Sequence, residues 1–373
     1  MSLPNTKSAI NPASARPGPI FWAILGFGVA IAIQAAQASS LGGWSGLLAV
    51  GETSPLRPII EQELPNLVVT DDPGHDGQVT YVVGLDPWAT WAHEIVPAAS
   101  YRYRRILMPL VASGFGTVDG TALFWSLTIL NGLAFAAATV FTAKLATMRS
   151  LPPWAALAAT LNIGLWLSLH ITSPDALGFA CVLVGIVAYL AGGDLRAVIW
   201  LSLGGLAKET YLLVPLSIVI YLLMVHREKR RGLFFTCSFI PAALWSVFLA
   251  VRIRDPFQTG GNLSLPFVGI LDASKAWAQN SGRDIVLLVL AVGAIGVSVL
   301  LIVKAPRSLW AWLAVPWLAL ATISSHWIWD FGNNAARAFL PLVTFAALGL
   351  MDNSDLGADP LPVGGQTAAL GDT

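Results

Sequence analysis

The chain has 373 residues, of which 21 are basic and 21 acidic, and its formal net charge is zero. Charged residues make up 11% of it and apolar residues 55%, whereas soluble globular proteins carry about 25% charged residues. This composition excludes a disordered chain and an ordinary cytosolic enzyme, and the lack of a basic excess excludes nucleic acid as a partner. We therefore predict an all-α integral membrane protein, with the lipid bilayer as its surroundings.

Ten apolar windows are candidates for membrane-spanning helices, which need about 20 mostly apolar residues. They cover residues 20–36, 121–143, 153–170, 176–191, 197–207, 211–225, 233–251, 285–303, 309–327 and 335–351. The window 197–207 is short, so it is either a tilted half-span or continues into the next helix. The apolar segment 106–115 contains a proline and a glycine, and it is predicted to be an interfacial helix.

Basic residues in the short loops favour a cytoplasmic N-terminus. We expect a cytoplasmic segment at 1–19, a polytopic membrane domain at 20–351 with a large outer loop at 37–120, and a disordered cytoplasmic tail at 352–373. An Ala-Gln-Ala sequence at 36–38 is typical of a signal-peptide cleavage site. The first helix is therefore either an anchor or a cleaved signal.

The large outer loop contains a short acidic motif with Asp71, Asp72, His75 and Asp76. Three carboxylates and an imidazole within six residues predict a metal site or a general base, and neighbouring glycines allow the turns that would bring them together. The apolar residues after Gln78 predict a short helix on the membrane surface. The alternative is that Asp72 or Asp76 only caps this helix.

A basic, tyrosine-rich motif at 101–105 contains Arg102, Arg104 and Arg105. Arginine suits bidentate binding of phosphate, which predicts a clamp for the phosphate of a lipid-linked substrate. The alternative is anchoring to anionic lipid headgroups, with the tyrosines at the interface.

Four more ionisable residues lie at predicted outer helix ends. Asp175 is either a simple helix cap or part of a site. Lys208 and Glu209 interrupt two apolar runs, where charges are costly and indicate function, unless the two only pair with each other. Arg337 begins the last helix, and it either belongs to a site or snorkels to the interface.

In order and sidedness these motifs resemble the C-type membrane glycosyltransferases, the GT-C superfamily, over nearly the whole chain. The resemblance includes the acidic motif of the first outer loop, the stretch around Pro109, Asp175, the segment 204–209 and Arg337 with the following Leu-Pro. The motif at 74–78, followed by 102–105, is similar to a bacterial subgroup of unassigned substrate.

The resemblance implies about ten transmembrane helices with a large first outer loop that contains interfacial helices, in a bacterial inner membrane. It also implies an inverting transfer of a sugar from a polyprenyl-phosphate donor to a glycan, lipid or protein acceptor on the outer, periplasmic face. A transporter, or a non-enzymatic membrane protein of envelope or polysaccharide assembly, is the alternative.

The resemblance also implies roles for the motif residues. Asp76 would be the general base, beside His75, with Asp72 or Asp71 as an alternative base or as ligands of a divalent metal, Mg²⁺ or Mn²⁺. The metal is not required, because arginines could supply the positive charge. The residues expected to bind the substrate are Arg102, Arg104, Arg105, Asp175, Lys208, Glu209 and Arg337.

Overall fold

Short and long α-helices make up most of the computed structural model, which describes residues 16–71, 74–253, 261–275, 277 and 282–352. The first six helices are α1 (Pro19–Leu41), α2 (Arg57–Glu63), α3 (Asp76–Leu85), α4 (Ala99–Arg102), α5 (Leu107–Ala112) and α6 (Gly120–Met148). The next seven are α7 (Leu157–Thr160), α8 (Ile163–His170), α9 (Asp175–Leu190), α10 (Asp194–Ala207), α11 (Leu213–Tyr221), α12 (Lys229–Phe235) and α13 (Ile240–Arg252). The last six are α14 (Val268–Ser274), α15 (Gly282–Lys304), α16 (Leu309–Ile323), α17 (His326–Trp329), α18 (Gly332–Ala338) and α19 (Leu340–Met351).

Five helical segments of the described chain are long and apolar enough to cross a membrane. They are Pro19–Leu41, Gly120–Met148, Glu209–His226, Lys229–Arg252 and Asp284–Lys304. The pair α18 and α19 makes a sixth if it counts as one span, and it is bent by 64°. Two shorter apolar helices, α9 and α16, accompany them. The chain is therefore a helical, multi-pass membrane protein.

The predicted window 153–170 is not one continuous helix. A 3₁₀ turn at Pro153–Ala156 leads into α7, and the chain leaves the helix before α8 begins. Asn162 explains the break, because its side chain accepts from the backbone N–H of Gly164 at 2.9 Å and donates to the carbonyl oxygen of Leu340 at 3.0 Å. The expectation of one uninterrupted helix was wrong, because the side chain of Asn162 caps the start of a new helix, α8.

The short window 197–207 does not continue into the next helix. The helix α10 ends at Ala207, and Lys208 takes an extended conformation with φ −158° and ψ 128°. A 3₁₀ turn at Glu209–Leu212 then starts the following segment. The chain therefore changes direction at the two charged residues that the sequence singles out.

The core lies around α9, which packs against α6 and α10. Its Gly178 allows the closest approach, because a Cβ there would lie 2.4 Å from the ring of Tyr211. The ring of Tyr211 contacts those of Phe179 and Trp317, with centroids 6.5 and 6.1 Å apart. This packing fixes the N-terminal end of α9, where Asp175 lies.

The chain between α1 and α6 is folded, and includes α2 to α5 and a small parallel sheet. In this sheet β1 (Val50–Gly51) pairs with β2 (Val69–Thr70). The apolar side chains of the whole segment between α1 and α6 form a second core together with residues of α6 and α13. The predicted helix within 106–115 is present as α5, which has six residues and is too short to span a membrane.

The helix predicted after Gln78 is also present, as α3, and it is buried within the protein. Residues 77–84 of α3 are all buried. Gly77 is the reason, because a Cβ there would lie 2.4 Å from the carbonyl oxygen of Ile171 and 2.6 Å from that of Leu48. A residue without a side chain lets α3 pack inside the protein, so the predicted helix is covered by other parts of the chain.

Most of the predicted terminal segments lie outside the described residues, namely 1–15 and 353–373. Asp352, assigned to the disordered tail from sequence, is buried. Its Oδ2 accepts from Arg149 Nε at 2.7 Å and from Trp310 Nε1 at 2.8 Å. The folded part therefore extends to Asp352.

Candidate functional site

Seven charged side chains, which lie at helix ends or in the short links beside them, form one network of ion pairs that we call the charged cluster. Three are carboxylates and four are cations, so the charged cluster carries one net positive charge at neutral pH. Its members are Asp76, Arg102, Arg105, Asp175, Lys208, Glu209 and Arg337. All seven were predicted as site residues, although they are spread over most of the chain.

Asp76 is the first residue of α3 and faces three arginines. Its Oδ1 accepts from Arg102 Nη1, its Oδ2 accepts from Arg337 Nη2 at 2.5 Å, and Arg105 Nη1 lies 3.9 Å from Oδ2. The residue at the N-cap is His75 and makes no side-chain cap, so the interpretation of Asp76 as a helix cap was wrong. Its carboxylate is instead available to the charged cluster.

The positive charges around Asp76 determine whether its carboxyl group is protonated. Burial acts to raise the pKa of its carboxyl group, but the nearby guanidinium groups of Arg337, Arg102 and Arg105 outweigh burial and hold the pKa well below its usual range. Asp76 is therefore ionised at neutral pH.

Arg105, in the link between α4 and α5, is held from two sides. Its Nη2 and Nε donate to the two oxygens of Glu209, at 2.9 and 3.1 Å. Its guanidinium group also donates to the hydroxyl of Tyr101 and lies over that ring, 4.5 Å from the centroid. Burial acts to lower the pKa of Arg105, but the carboxylate of Glu209 outweighs it, and the pKa stays well above its usual value. Burial raises the pKa of Tyr101 to about 12, so the phenol keeps its proton.

Asp175, the first residue of α9, is the most buried carboxylate of the charged cluster, with 1% of its side chain exposed. Its Oδ1 accepts from Lys208 Nζ, and its Oδ2 accepts from Arg337 Nε at 3.0 Å and from Ser173 Oγ at 2.6 Å. The first turn of α9 is capped by another side chain, because Ser168 Oγ accepts from the backbone of Ala176 at 3.1 Å. The interpretation of Asp175 as a simple cap was wrong.

The ion pairs of Lys208, Glu209 and Arg337 also differ from the simplest interpretations of their positions. Lys208 and Glu209 do not form a self-contained pair, since Lys208 binds Asp175 and Glu209 binds Arg105. Arg337 does not snorkel outward, because 12% of its side chain is exposed and it reaches both Asp76 and Asp175. Arg337 lies in the last turn of α18, next to the 64° bend between α18 and α19. Both interpretations were therefore wrong.

The remaining predicted site residues are not brought into these ion pairs by the described contacts. Asp71 and His75 are exposed, and Arg104 is partly buried in the turn after α4. Asp72 lies outside the described residues. Within the described ranges, no group of three or more His, Cys, Asp or Glu side chains is arranged to hold a metal ion. Their roles stay predictions.

A small open cleft borders the charged cluster. Both charged and apolar or small side chains line it. The lining residues are Asp76, Val79, Thr80, Val83, Arg102, Arg105, Pro109 and Pro174. The two arginines of the lining could hold an anionic group at the mouth of the cleft, because guanidinium groups bind oxyanions.

Two polar residues that support the charged cluster were not found from sequence. The hydroxyl of Tyr211 donates to the backbone oxygen of Asp175 at 2.8 Å, and Asn262 Nδ2 donates to the hydroxyl of Tyr101 at 2.9 Å. Each is a single polar residue with no motif around it, so only its position in space reveals its role.

Comparison of the chain with known protein families, curated proteins and solved structures found no match.

Proposed function

We propose that the protein is a membrane glycosyltransferase of the GT-C type, which moves a sugar from a polyprenyl-phosphate carrier to a glycan, lipid or protein acceptor. The observation that carries this proposal is the carboxylate of Asp76, which lies beside a cleft and within reach of three arginines. A carboxylate next to concentrated positive charge provides a proton acceptor and a phosphate site in the same place.

The proton acceptor and the phosphate site have separate roles in the reaction. The oxygen of the acceptor hydroxyl attacks the anomeric carbon, the bond from that carbon to the phosphate oxygen breaks, and the configuration inverts. The hydroxyl proton goes to Asp76, and the electron pair leaves with the lipid phosphate. Arg102 and Arg105 would stabilise the charge on the departing phosphate, in the way that preorganised donors stabilise transition states.

The membrane arrangement belongs to the same proposal. Each of the ten apolar windows coincides with helical segments of the described chain: the long spans, the bent pair, the shorter α9, α10 and α16, and the broken segment 153–170. We propose ten crossings of a bacterial inner membrane, with the charged cluster and the chain between α1 and α6 on the periplasmic side. The Lys and Arg residues of the short loops that this arrangement places on the cytoplasmic side support this orientation.

A transfer assay tests the proposal. The purified full-length protein in lipid nanodiscs is given polyprenyl-phosphate sugars and extracted envelope acceptors, and the lipid products are separated. Transfer of sugar with release of polyprenyl phosphate supports the proposal. A deletion strain is then expected to accumulate the lipid-linked sugar. An unchanged pool of lipid-linked sugars in that strain, together with no transfer in nanodiscs, would refute it.

One observation favours a transporter as the second candidate. The broken segment α7–α8 meets the bent segment α18–α19, since a Cβ on Gly164 would lie 2.3 Å from the carbonyl oxygen of Ala336. Interrupted helices of this kind form the binding sites of many transporters. Uptake of a solute into proteoliposomes without any change in its covalent structure would favour this candidate over the transferase.

A further inference from the structure

The three arginines around Asp76 are not held equally. Arg105 has Glu209 as a second carboxylate partner, at 2.9 Å, and Arg337 has Asp175, at 2.8 Å. Among the described residues, Arg102 has no carboxylate partner other than Asp76. Its side chain is also the most open of the three, with 31% exposed against 11% for Arg105 and 12% for Arg337.

Each oxygen of Asp76 already accepts a hydrogen bond from a guanidinium group. Oδ1 accepts from Arg102 and Oδ2 from Arg337, so a proton taken from a substrate hydroxyl would arrive next to a guanidinium group at either oxygen. The cations that surround Asp76 are Arg102 from α4, Arg105 from the link to α5 and Arg337 from α18. Arg337 also pairs with Asp175, which in turn pairs with Lys208. A proton acceptor surrounded in this way is a weak base.

We propose that Arg102 is an exchangeable partner: a phosphate group that enters the cleft takes Arg102 away from Asp76, and Asp76 Oδ1 then becomes available to the acceptor hydroxyl. This inference rests on the proposed function and deepens it. Phosphate oxygens bind arginine as carboxylates do, with more charge and in a bidentate fork. Arg105 and Arg337 keep their places, because Glu209 and Asp175 hold them.

The exchange fixes the order of events at the site. Without a phosphate ligand, Asp76 is paired and does not deprotonate a hydroxyl group. After the phosphate ligand binds, Asp76 loses one cationic neighbour and becomes a better base. The donor therefore has to bind before the acceptor is activated, which protects the site from proton transfer in the absence of donor.

Chemical labelling of carboxyl groups measures the exchange. The full-length protein in nanodiscs is treated with a carbodiimide and an amine, and the modification of Asp76 is quantified by peptide mass spectrometry. The probes are undecaprenyl phosphate, undecaprenol and inorganic phosphate, and binding of each lipid is measured separately. Undecaprenyl phosphate is expected to raise labelling of Asp76 about tenfold, since loss of an arginine neighbour raises a carboxyl pKa by about one unit or more. Undecaprenol is expected to leave it unchanged.

Matched variants make the test specific. Arg102→Gln is expected to give high labelling of Asp76 without ligand and no further rise with it, and Arg102→Lys is expected to return labelling towards the wild-type level. The control is the exposed ion pair of Arg57 and Glu61, with 2.7 Å between Nε and Oε1. Arg57→Gln should raise labelling at Glu61 and leave labelling at Asp76 unchanged.

The outcomes separate the inference from the function. If undecaprenyl phosphate binds and the labelling of Asp76 stays the same, the exchange is refuted while the proposed function stands. If undecaprenyl phosphate does not bind at all, the proposed function fails and the exchange fails with it. If inorganic phosphate alone reproduces the rise, the exchange is supported and the phosphate group, not the lipid chain, is what drives it.

Discussion

Arg337 joins Asp76 and Asp175 through one nitrogen, because its Nη2 lies 2.5 Å from Oδ2 of Asp76 and 2.8 Å from Oδ2 of Asp175. The two carboxylates begin α3 and α9, and the arginine comes from α18. Three distant parts of the chain therefore meet at this side chain. The connection links the buried half of the charged cluster to the half that borders the cleft.

Replacing Asp76 with asparagine is expected to slow the reaction strongly while the protein still folds. The amide cannot accept the hydroxyl proton, and general-base catalysis contributes about 10²- to 10⁴-fold to a rate. Sugar transfer in nanodiscs is therefore expected to fall by that factor, with normal expression. Glu61→Gln is the matched control, since Glu61 is an exposed carboxylate in the same part of the chain and should keep wild-type activity. Normal transfer by the Asp76→Asn protein would exclude Asp76 as the base.

The pair of Asp175 and Lys208 is expected to show strong coupling in stability. Both side chains are buried, so Asp175→Asn leaves Lys208 without its carboxylate, at a cost of about 3–5 kcal/mol, whereas Lys208→Met leaves Asp175 paired with Arg337 and should cost less. Asp175→Asn and Lys208→Met should each lower the unfolding temperature, and the double variant should recover part of the loss. Thermal unfolding of the wild type, the two single variants and the double variant in detergent gives the double-mutant cycle. Additive losses in the double variant would contradict the pairing.

The pH dependence of stability follows from Asp76. Its pKa in the folded protein is lowered, so its contribution is fully present above the usual carboxyl pKa of about 3.9 and is lost only as the pH falls through the lower, folded value. The difference in stability between wild type and Asp76→Asn is therefore expected to be constant from about pH 5 to 8 and to shrink below about pH 4. Denaturation curves at a series of pH values measure it. A difference that disappears between pH 5 and 7 would contradict the arginine contacts.

Gly77→Ala is expected to damage the site through the backbone. The added methyl group would lie 2.4 Å from a carbonyl oxygen, so α3 has to move and Asp76 moves with it. Transfer activity and thermal stability should both fall. Gly28→Ala is the control, because nothing lies within 4 Å of a Cβ there and alanine favours the helix. Equal activity of the two variants would show that α3 tolerates the shift.

Much of the charged cluster could be predicted from sequence, because charges in an apolar chain are costly and remain where they have a role. Lys208 and Glu209 were recognised in this way, and Asp76 was recognised as part of an acidic motif. Their pairing was not predictable, since partners such as Arg337 and Asp76 are far apart in sequence and meet only through helix packing. Hydrophobicity located the helical segments but not their breaks, since one capping side chain, Asn162, interrupts a run that is otherwise apolar.

Binding of undecaprenyl phosphate to the full-length protein in nanodiscs tests the central claim most directly, with undecaprenol as the neutral competitor. The wild-type protein is predicted to bind the phosphate lipid saturably and in clear preference to undecaprenol, and Arg102→Gln should weaken this binding at least about tenfold, as expected for loss of a charged hydrogen bond. Circular dichroism checks that the variant keeps its helices. Equal affinity of the wild-type protein for undecaprenyl phosphate and undecaprenol would contradict a phosphate site at the charged cluster.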